Sequence, residues 1–284
     1  MYEAEISRRN PTCFLFLIDQ SGSMSDSFGA NRISKAEALA DVVNRLLEAL
    51  VDRCTRGEEI LDRYFIGVLG YGGNVHWAFQ GNLKERELVP VSELGRNPLR
   101  IEVRRKKMYD GAGGLIEVDE KFPVWFEPKA DGGTPMGEAL QLACQTVARF
   151  VSEHANCFPP IVINITDGEA TDVSPEELAQ IAESVRAVKS EDGNVLLFNV
   201  HISSASAHPI LFPASDEGLP DAYARLLFRM SSPLPPSMFQ QAQKMFEGQQ
   251  RIREGARGFA FNADLVSVIQ FLEIGTRPRV DRDR

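Results

Sequence analysis

Short unbroken apolar runs, separated by longer stretches of helical periodicity, make up most of this chain. An apolar run of about four to eight residues that ends at turn-forming residues is typical of a strand covered on both faces. Residues 75–79, which follow Gly72, Gly73 and Asn74, predict a hairpin partner for the apolar run at 64–71. This partner strand would be antiparallel and lie at the sheet edge. The predicted strands cover residues 14–18, 64–71, 75–79, 161–166, 195–200 and 258–261.

Between the strands, apolar residues recur at helical spacing, which predicts helices with one buried face. Ser34 and Glu37 have the spacing of a capping box, and Ser174 begins a second helix in the same way. Thr134 takes the cap position of a third helix, with Pro135 in its first turn. The predicted helices cover residues 34–51, 134–151, 174–189, 221–230, 237–247 and 262–274. This alternation predicts an α/β fold: a doubly wound, mostly parallel six-stranded sheet with one antiparallel edge strand and helices on both faces.

The alternation of strand and helix stops between residues 81 and 131, where the composition shifts to mixed charge with scattered Gly and Pro. Within this segment, residues 99–104 and 115–118 alternate apolar and polar positions on either side of a Gly-rich turn at 109–114. Such a pattern predicts an inserted β-hairpin. Residues 123–126 predict a third strand beside it.

The charge balance limits the classes of partner. A net charge of −9 over 284 residues and a pI of about 5.1 argue against nucleic acid or an anionic membrane as the main partner, since both need a basic face. One basic cluster lies in the inserted hairpin and is either a docking surface for an acidic partner or, as such runs more often are, a solvated strand face. Its members are Arg100, Arg104, Arg105, Lys106 and Lys107.

The remaining composition predicts a cytoplasmic protein. The first ten residues carry acids and no apolar core, so they do not form a secretory signal, and no apolar stretch is long enough to span a membrane. The four cysteines have no C-x-x-C spacing that would indicate zinc or a redox pair, so we interpret them as reduced thiols. The four histidines are scattered and are interpreted as structural.

Candidate chemistry gathers at the ends of two predicted strands. Asp19, Ser21 and Ser23 follow the first strand in a D-x-S-x-S pattern, and Asp167 ends the strand at 161–166. Thr134 lies far from both in sequence, at a predicted helix start. Because ligands of open α/β sheets bind at the carboxyl ends of the strands, these five residues are the candidate site.

In these residues the sequence resembles the von Willebrand factor A (vWA) domain, whose metal-ion-dependent adhesion site carries D-x-S-x-S, a distant Thr and a distant Asp in this order. The resemblance implies a single domain over residues 1–284, with its core at about 13–274, the insertion at about 81–131 and a charged tail at 277–284. It also implies the strand order 3-2-1-4-5-6. The implied metal ligands are Asp19, Ser21, Ser23, Thr134 and Asp167.

The implied function is binding without catalysis. Mg²⁺, with Mn²⁺ or Ca²⁺ as alternatives, prefers oxygen ligands. The family pattern makes the two serines direct ligands, while Asp19, Thr134 and Asp167 bind directly or through water. Neutral hydroxyls leave the metal charge poorly neutralised, so an Asp or Glu of a partner protein is expected at the open position.

Two alternatives stay open at this stage. Ser, Thr and Asp are also common caps at strand-to-helix turns, so the same residues are compatible with a purely structural role. A Mg²⁺-dependent hydrolase or phosphoesterase is the competing function, although phosphate-loop, G-x-G-x-x-G and G-x-S-x-G motifs are missing from the sequence. Asp26 lies where some family members add a second cation site, but an exposed loop acid is the simpler interpretation.

A narrower resemblance concerns residues 16–24 and 166–171, which are similar to stand-alone intracellular bacterial vWA proteins of the TerY type, associated with tellurite resistance. It implies a role in a bacterial stress-response or signalling assembly. The partner class that it implies is a kinase, a phosphatase or an AAA ATPase.

Overall fold

The computed structural model describes residues 1–28, 33–109, 115–203, 209–248 and 251–276. The strands are β1 Thr12–Asp19, β2 Ser27–Phe28, β3 Ile33–Ser34, β4 Thr55–Arg56, β5 Glu59–Ile60, β6 Tyr64–Tyr71, β7 Val75–Trp77, β8 Val89–Pro90, β9 Arg100–Tyr109, β10 Leu115–Val124, β11 Ile161–Thr166, β12 Leu196–Ile202, β13 Ile210–Leu211 and β14 Phe259–Ala263. The helices are α1 Lys35–Cys54, α2 Val91–Arg96, α3 Met136–Glu153, α4 Pro175–Ala187, α5 Ala222–Met230, α6 Pro236–Met245 and α7 Leu265–Gly275. The predicted tail at 277–284 lies outside the described residues.

The central sheet confirms the predicted fold class. Its strands lie in the order β13-β14-β12-β11-β1-β6-β7, and β8 pairs with β6 beside this path. The five strands from β14 to β6 pair in parallel, and β7 is antiparallel at one edge. Numbered as the six predicted strands, the order is 3-2-1-4-5-6. Two further two-residue strands, β8 and β13, join by antiparallel pairing and are too short to leave a periodic signal in the sequence.

Strand β1 lies inside the sheet, between β6 and β11, and this position explains why its residues 13–18 are continuously apolar. All eight of its residues are buried, since β6 and β11 pair with its two edges and helices cover both faces. Phe14, Phe16 and Ile18 point into the core beneath α1, α6 and α7. The intervening residues Cys13 and Leu15 point into the second core beneath α3, α4 and α5. Between its polar first and last residues, Thr12 and Asp19, the strand therefore carries apolar side chains at every position.

The inserted hairpin is longer than predicted. Strands β9 and β10 pair over ten residues each, and the predicted separate strand at 123–126 is wrong, because residues 123 and 124 continue β10. The alternation in the sequence breaks at the charged run 119–121, although backbone pairing runs through it. The turn at 110–114 lies outside the described residues.

The basic cluster of the hairpin is largely neutralised where its side chains are described. Arg104 contacts Asp41 of α1 at 2.9 Å and lies over the Phe122 ring, 3.6 Å from its centroid. Arg100 pairs with Glu102 and Glu127. Arg105 lies 3.8 Å from Glu117, and the side chains of Lys106 and Lys107 are outside the description. The Arg104 contact attaches the hairpin to α1, and the acidic partners of these arginines favour the interpretation as a solvated strand face.

Among the described residues, no helix has both the length and the apolarity needed to cross a membrane.

Candidate metal site

The carboxylate of Asp19 lies at the end of β1 and is held by two donors. It is 1% exposed. Its Oδ1 accepts the Ser21 backbone N–H at 2.8 Å, and its Oδ2 accepts the Thr166 hydroxyl at 2.7 Å. Parallel pairing of β1 with β11 aligns Ile18 with Ile165, so Asp19 and Thr166 lie side by side. The register of two adjacent strands therefore fixes this carboxylate.

The two serines connect Asp19 to the second predicted carboxylate. The hydroxyls of Ser21 and Ser23 lie 3.1 Å apart, and Ser23 Oγ donates to Asp167 Oδ1 at 2.7 Å. Asp19, Ser21, Ser23 and Asp167 thus form one hydrogen-bonded cluster at the carboxyl ends of β1 and β11. Four of the five residues predicted from the sequence are brought together in this way.

Thr134 lies on the loop that packs against the same cluster. Asp131 donates its backbone N–H to the Gln20 carbonyl at 2.7 Å, and Gly22 donates to the Gly132 carbonyl at 3.0 Å. Thr134 is buried, and its Oγ1 lies 4.0 Å from the point where a Cβ on Gly168 would stand. The structure therefore places Thr134 beside the turn that carries Asp167.

A glycine is required where this loop meets the sheet. Gly132 has a φ of +74°, and a Cβ at this position would lie 2.5 Å from the Gly73 Cα. An L side chain would therefore be strained in this conformation and would also collide with backbone. The close approach of the two loops depends on this residue.

The predicted capping role of Thr134 is wrong. Helix α3 begins at Met136 with Pro135 at the N-cap, and no side chain of its own caps it. The carboxylate of Asp172 accepts the N–H groups of Gly137 at 3.1 Å and Glu138 at 2.8 Å instead. Ser21 likewise precedes a short 3-10 helix without capping it through its side chain. Helix capping therefore does not explain why Thr134 and Ser21 stand at these positions.

Several residues at the site carry no signal in the sequence. Thr171 accepts the Thr134 backbone N–H at 2.9 Å and so fixes its loop. Lys35, directly after the Ser34 cap, brings its ammonium to 2.8 Å from Asp167 Oδ2. Neither position belongs to a motif, because each contact joins segments more than 30 residues apart; only the capping box at Ser34 and Glu37 pointed to this helix start.

Tyr223 and His201 form the wall behind the Asp167 turn. The Tyr223 hydroxyl donates to the Gly168 carbonyl. His201 stacks on Phe261 with ring centroids 4.4 Å apart and meets Tyr223 edge-on at 6.1 Å. Burial lowers the pKa of His201, which favours the neutral imidazole, and raises the pKa of Tyr223. This side of the site therefore contributes neutral groups.

Burial raises the pKa of Asp19 above the ordinary value, and the nearby Asp167 carboxylate adds to this effect. The hydrogen bonds from Ser21 and Thr166 oppose it. The carboxylates of Asp19 and Asp167 lie close together here, and the Lys35 ammonium pairs with Asp167. A cation would relieve the unfavourable charge at Asp19.

The donor set fits a hard divalent cation. Its side chains supply two carboxylates and neutral hydroxyls, and all of these are oxygen donors of the kind that Mg²⁺ prefers. The described residues contain no group of three or more His, Cys, Asp or Glu side chains that would hold a metal. The five candidate ligands include only two such side chains, Asp19 and Asp167, because the other three are hydroxyls.

Comparisons with known proteins return matches among solved structures. No protein-family model matches the sequence, and no curated protein matches it. A von Willebrand factor type A protein from Catenulispora acidiphila is 16% identical, with a TM-score of 0.38, over 68% of this chain and 34% of that one. The manganese-loaded TRAP protein of Plasmodium vivax is 14% identical, with a TM-score of 0.39, over 88% of this chain and 75% of that one.

A third match is the three N-terminal domains of the type V pili tip protein Mfa5 from Porphyromonas gingivalis, which are 16% identical, with a TM-score of 0.30, over 58% of this chain and 22% of that one. The chain spans about a third of the length of the Catenulispora acidiphila protein.

Proposed function

We propose that this chain is a single vWA domain that binds a divalent cation, Mg²⁺ in the first place, and through it a carboxylate of a partner protein. One observation carries the proposal: Asp19, Ser21, Ser23 and Asp167 form a hydrogen-bonded cluster at the adjoining ends of β1 and β11. Thr134 lies on the loop packed against that cluster. These five residues are the proposed ligands.

The chain's own groups define what the site can do. Asp19 and Asp167 supply negative charge, and the hydroxyls of Ser21, Ser23 and Thr134 supply neutral oxygens. A bound divalent cation would supply a positive charge that these ligands neutralise incompletely, which attracts an Asp or Glu side chain from outside. Ser23 is exposed, whereas Asp19 is buried, so the open side of the site faces solvent next to Ser23.

The biological setting is a proposal that rests on the sequence resemblance alone. In this proposal the chain is a TerY-type protein that acts in the cytoplasm, as part of a bacterial stress-response or signalling assembly. Its partner is a kinase, a phosphatase or an AAA ATPase. The catalytic step, if the assembly has one, belongs to the partner in this proposal.

Calorimetric titration of metal-free protein with Mg²⁺ and with Mn²⁺ tests the cation site. The wild type should bind one ion, and Ser23→Ala and Asp19→Ala should weaken binding at least about tenfold, the effect expected when a ligand or its support is lost. Ser27→Ala is the matched control, because Ser27 is an exposed serine four residues further along the chain, in β2. Equal affinity in Ser23→Ala and Ser27→Ala would contradict the ligand assignment.

A carboxylate probe tests the second half of the proposal. With Mn²⁺ bound, water-proton relaxivity should fall on addition of a short Asp-containing peptide, because the carboxylate replaces a metal-bound water, and a peptide with Asn in place of Asp should have no effect. Hydrolysis of p-nitrophenyl phosphate by the wild type but not by Asp19→Ala would instead support the hydrolase alternative and contradict the binding module.

A further inference from the structure

Lys35 is a buried ammonium paired with the proposed metal ligand Asp167. Its Nζ lies 2.8 Å from Asp167 Oδ2, and the two side chains are 10% and 1% exposed. A second carboxylate, that of Asp26, lies 3.5 Å from the same Nζ and is 66% exposed. The ammonium therefore stands between the cluster and the solvent-exposed Asp26.

The position of Lys35 is fixed by the start of α1. The capping box of Ser34 and Glu37 anchors this helix end, and the Lys35 backbone N–H donates to the Asp26 carbonyl at 2.9 Å. Helix α1 then packs along the sheet through its buried face. The ammonium cannot leave Asp167 by a small shift of the helix, so it must leave by a change of its own rotamer.

Helix stability does not explain a lysine here. The first residue of a helix lies at the positive end of its dipole, where an ammonium is unfavourable and a carboxylate is favourable. Burial of an ammonium adds a desolvation penalty unless the charge is paired. The pairing with Asp167 is what compensates for both.

Both oxygens of Asp167 have a hydrogen-bond partner. Oδ1 accepts the Ser23 hydroxyl at 2.7 Å, and Oδ2 contacts the Lys35 ammonium. Any cation that uses Asp167 must either displace the ammonium or bind next to it, against charge repulsion. The same ammonium also occupies the space in front of Asp26, so a second cation at Asp26 meets the same obstacle.

We propose that Lys35 is a built-in counter-cation of Asp167, which holds the site together without metal and lowers its affinity for divalent cations. This inference rests on the proposed function, since it assigns Lys35 a role toward the same cation. Lys35 is a positioning and affinity-setting residue and not a ligand. Removal of the ammonium should lower the unfolding temperature of the metal-free protein and raise the affinity of the site for divalent cations.

Calorimetric titration with Mg²⁺ and Mn²⁺ of wild type, Lys35→Met and Lys35→Arg tests this role. Lys35→Met should bind about 10- to 100-fold more tightly, the range over which groups that support metal ligands change affinity, and Lys35→Arg should stay near wild type because it keeps the charge. Lys84→Met is the matched control, since Lys84 is an exposed lysine that pairs with its neighbour Glu85 and its loss changes the net charge equally.

Thermal unfolding in a chelator gives a readout that does not need metal. Lys35→Met should unfold at a lower temperature than wild type without metal and gain more from added Mg²⁺. If Lys35→Met does not fold, Lys35→Gln, which keeps a hydrogen-bond donor without the charge, carries the same expectations.

The outcomes separate the two proposals. If wild type and the uncharged Lys35 variants bind Mg²⁺ equally well, the role of Lys35 is refuted and the cation site stands. Weaker binding by the uncharged variants also refutes it. If neither wild type nor variant binds Mg²⁺ or Mn²⁺, the cation site and the role of Lys35 both fail.

Discussion

Thr166 is the residue through which the metal-free site can be tested most directly. It ends β11, is fully buried, and donates its hydroxyl to Asp19 Oδ2 at 2.7 Å. Thr166 Oγ1 in turn accepts the Gly168 N–H at 3.1 Å. The Gly168 carbonyl, at 2.9 Å, is a competing acceptor for the Thr166 proton, but it already accepts from Tyr223, and the Asp19 carboxylate is both closer and the stronger acceptor. We therefore assign the Thr166 proton to Asp19.

Thr166→Val keeps the shape and removes both hydrogen bonds. A hydrogen bond to a charged group contributes about 1.5–3 kcal/mol, and a buried N–H left without a partner costs about 1–3 kcal/mol. Losses at neighbouring atoms do not add fully, so we expect a decrease of about 3 kcal/mol in the free energy of unfolding. At an unfolding entropy of about 2.1 cal/mol/K per residue over 284 residues, Tm should fall by about 5 °C.

Urea denaturation in the presence of a chelator, followed by far-UV circular dichroism, measures this decrease. Thr12→Val is the matched control, because Thr12 is equally buried at the opposite end of the sheet and donates to the neutral Phe158 carbonyl. Its cost should be about 1 kcal/mol. Thr166→Ser should retain most of the stability. If Thr166→Val is within about 0.5 kcal/mol of wild type, the hydroxyl is not bonded to Asp19 and the assigned geometry is wrong.

Two further predictions concern titratable groups. Because burial raises the pKa of Asp19, the metal-free native state binds this proton more tightly than the unfolded chain does, so the resulting stability is complete below the ordinary Asp pKa and is lost as the pH rises through the raised pKa. Asp19→Asn should remove this component from a curve of unfolding free energy against pH, and an unchanged curve would contradict the assignment. Burial also raises the pKa of Cys54 and Cys157 to about 12. A thiol reagent at pH 8 should therefore label the partly exposed Cys144 first, as mass spectrometry of partial digests would show.

The fold and most of the candidate site could be predicted because their signals are local. The interior of a strand buried on both faces is apolar, so the polar residue that follows the apolar run to Ile18 marks the end of the strand, and Asp19 is the last residue of β1. The same logic locates Thr166 and Asp167 at the end of β11. Capping boxes at Ser34 and Ser174 depend on residues three positions apart and were predicted with the helices they begin.

The errors concern features that depend on tertiary contacts. Thr134 has the sequence position of a cap, but a carboxylate from another loop, that of Asp172, reaches the α3 N-terminus instead. No rule of spacing relates the two residues. Lys35 looks like an ordinary polar residue at a helix start, and only the packing of α1 against the end of the sheet brings it to Asp167. Residues that adjust the affinity of a site are harder to recognise in a single sequence than residues that could bind its ligand.

For the proposed cation site, the hydrogen bonds of the cluster indicate where the metal-free and metal-bound states would differ most. Asp19 is held by Ser21 N–H and Thr166 at the end of two paired strands, so its position is set by folding and costs nothing further when a cation arrives. The hydroxyl of Ser23 can turn toward a cation by rotation about a single bond. Asp167 alone must either give up its ammonium partner or share its carboxylate between two cations. The free energy that separates the two states is therefore concentrated in its pairing with Lys35, which makes this lysine the residue through which the affinity of the site is set.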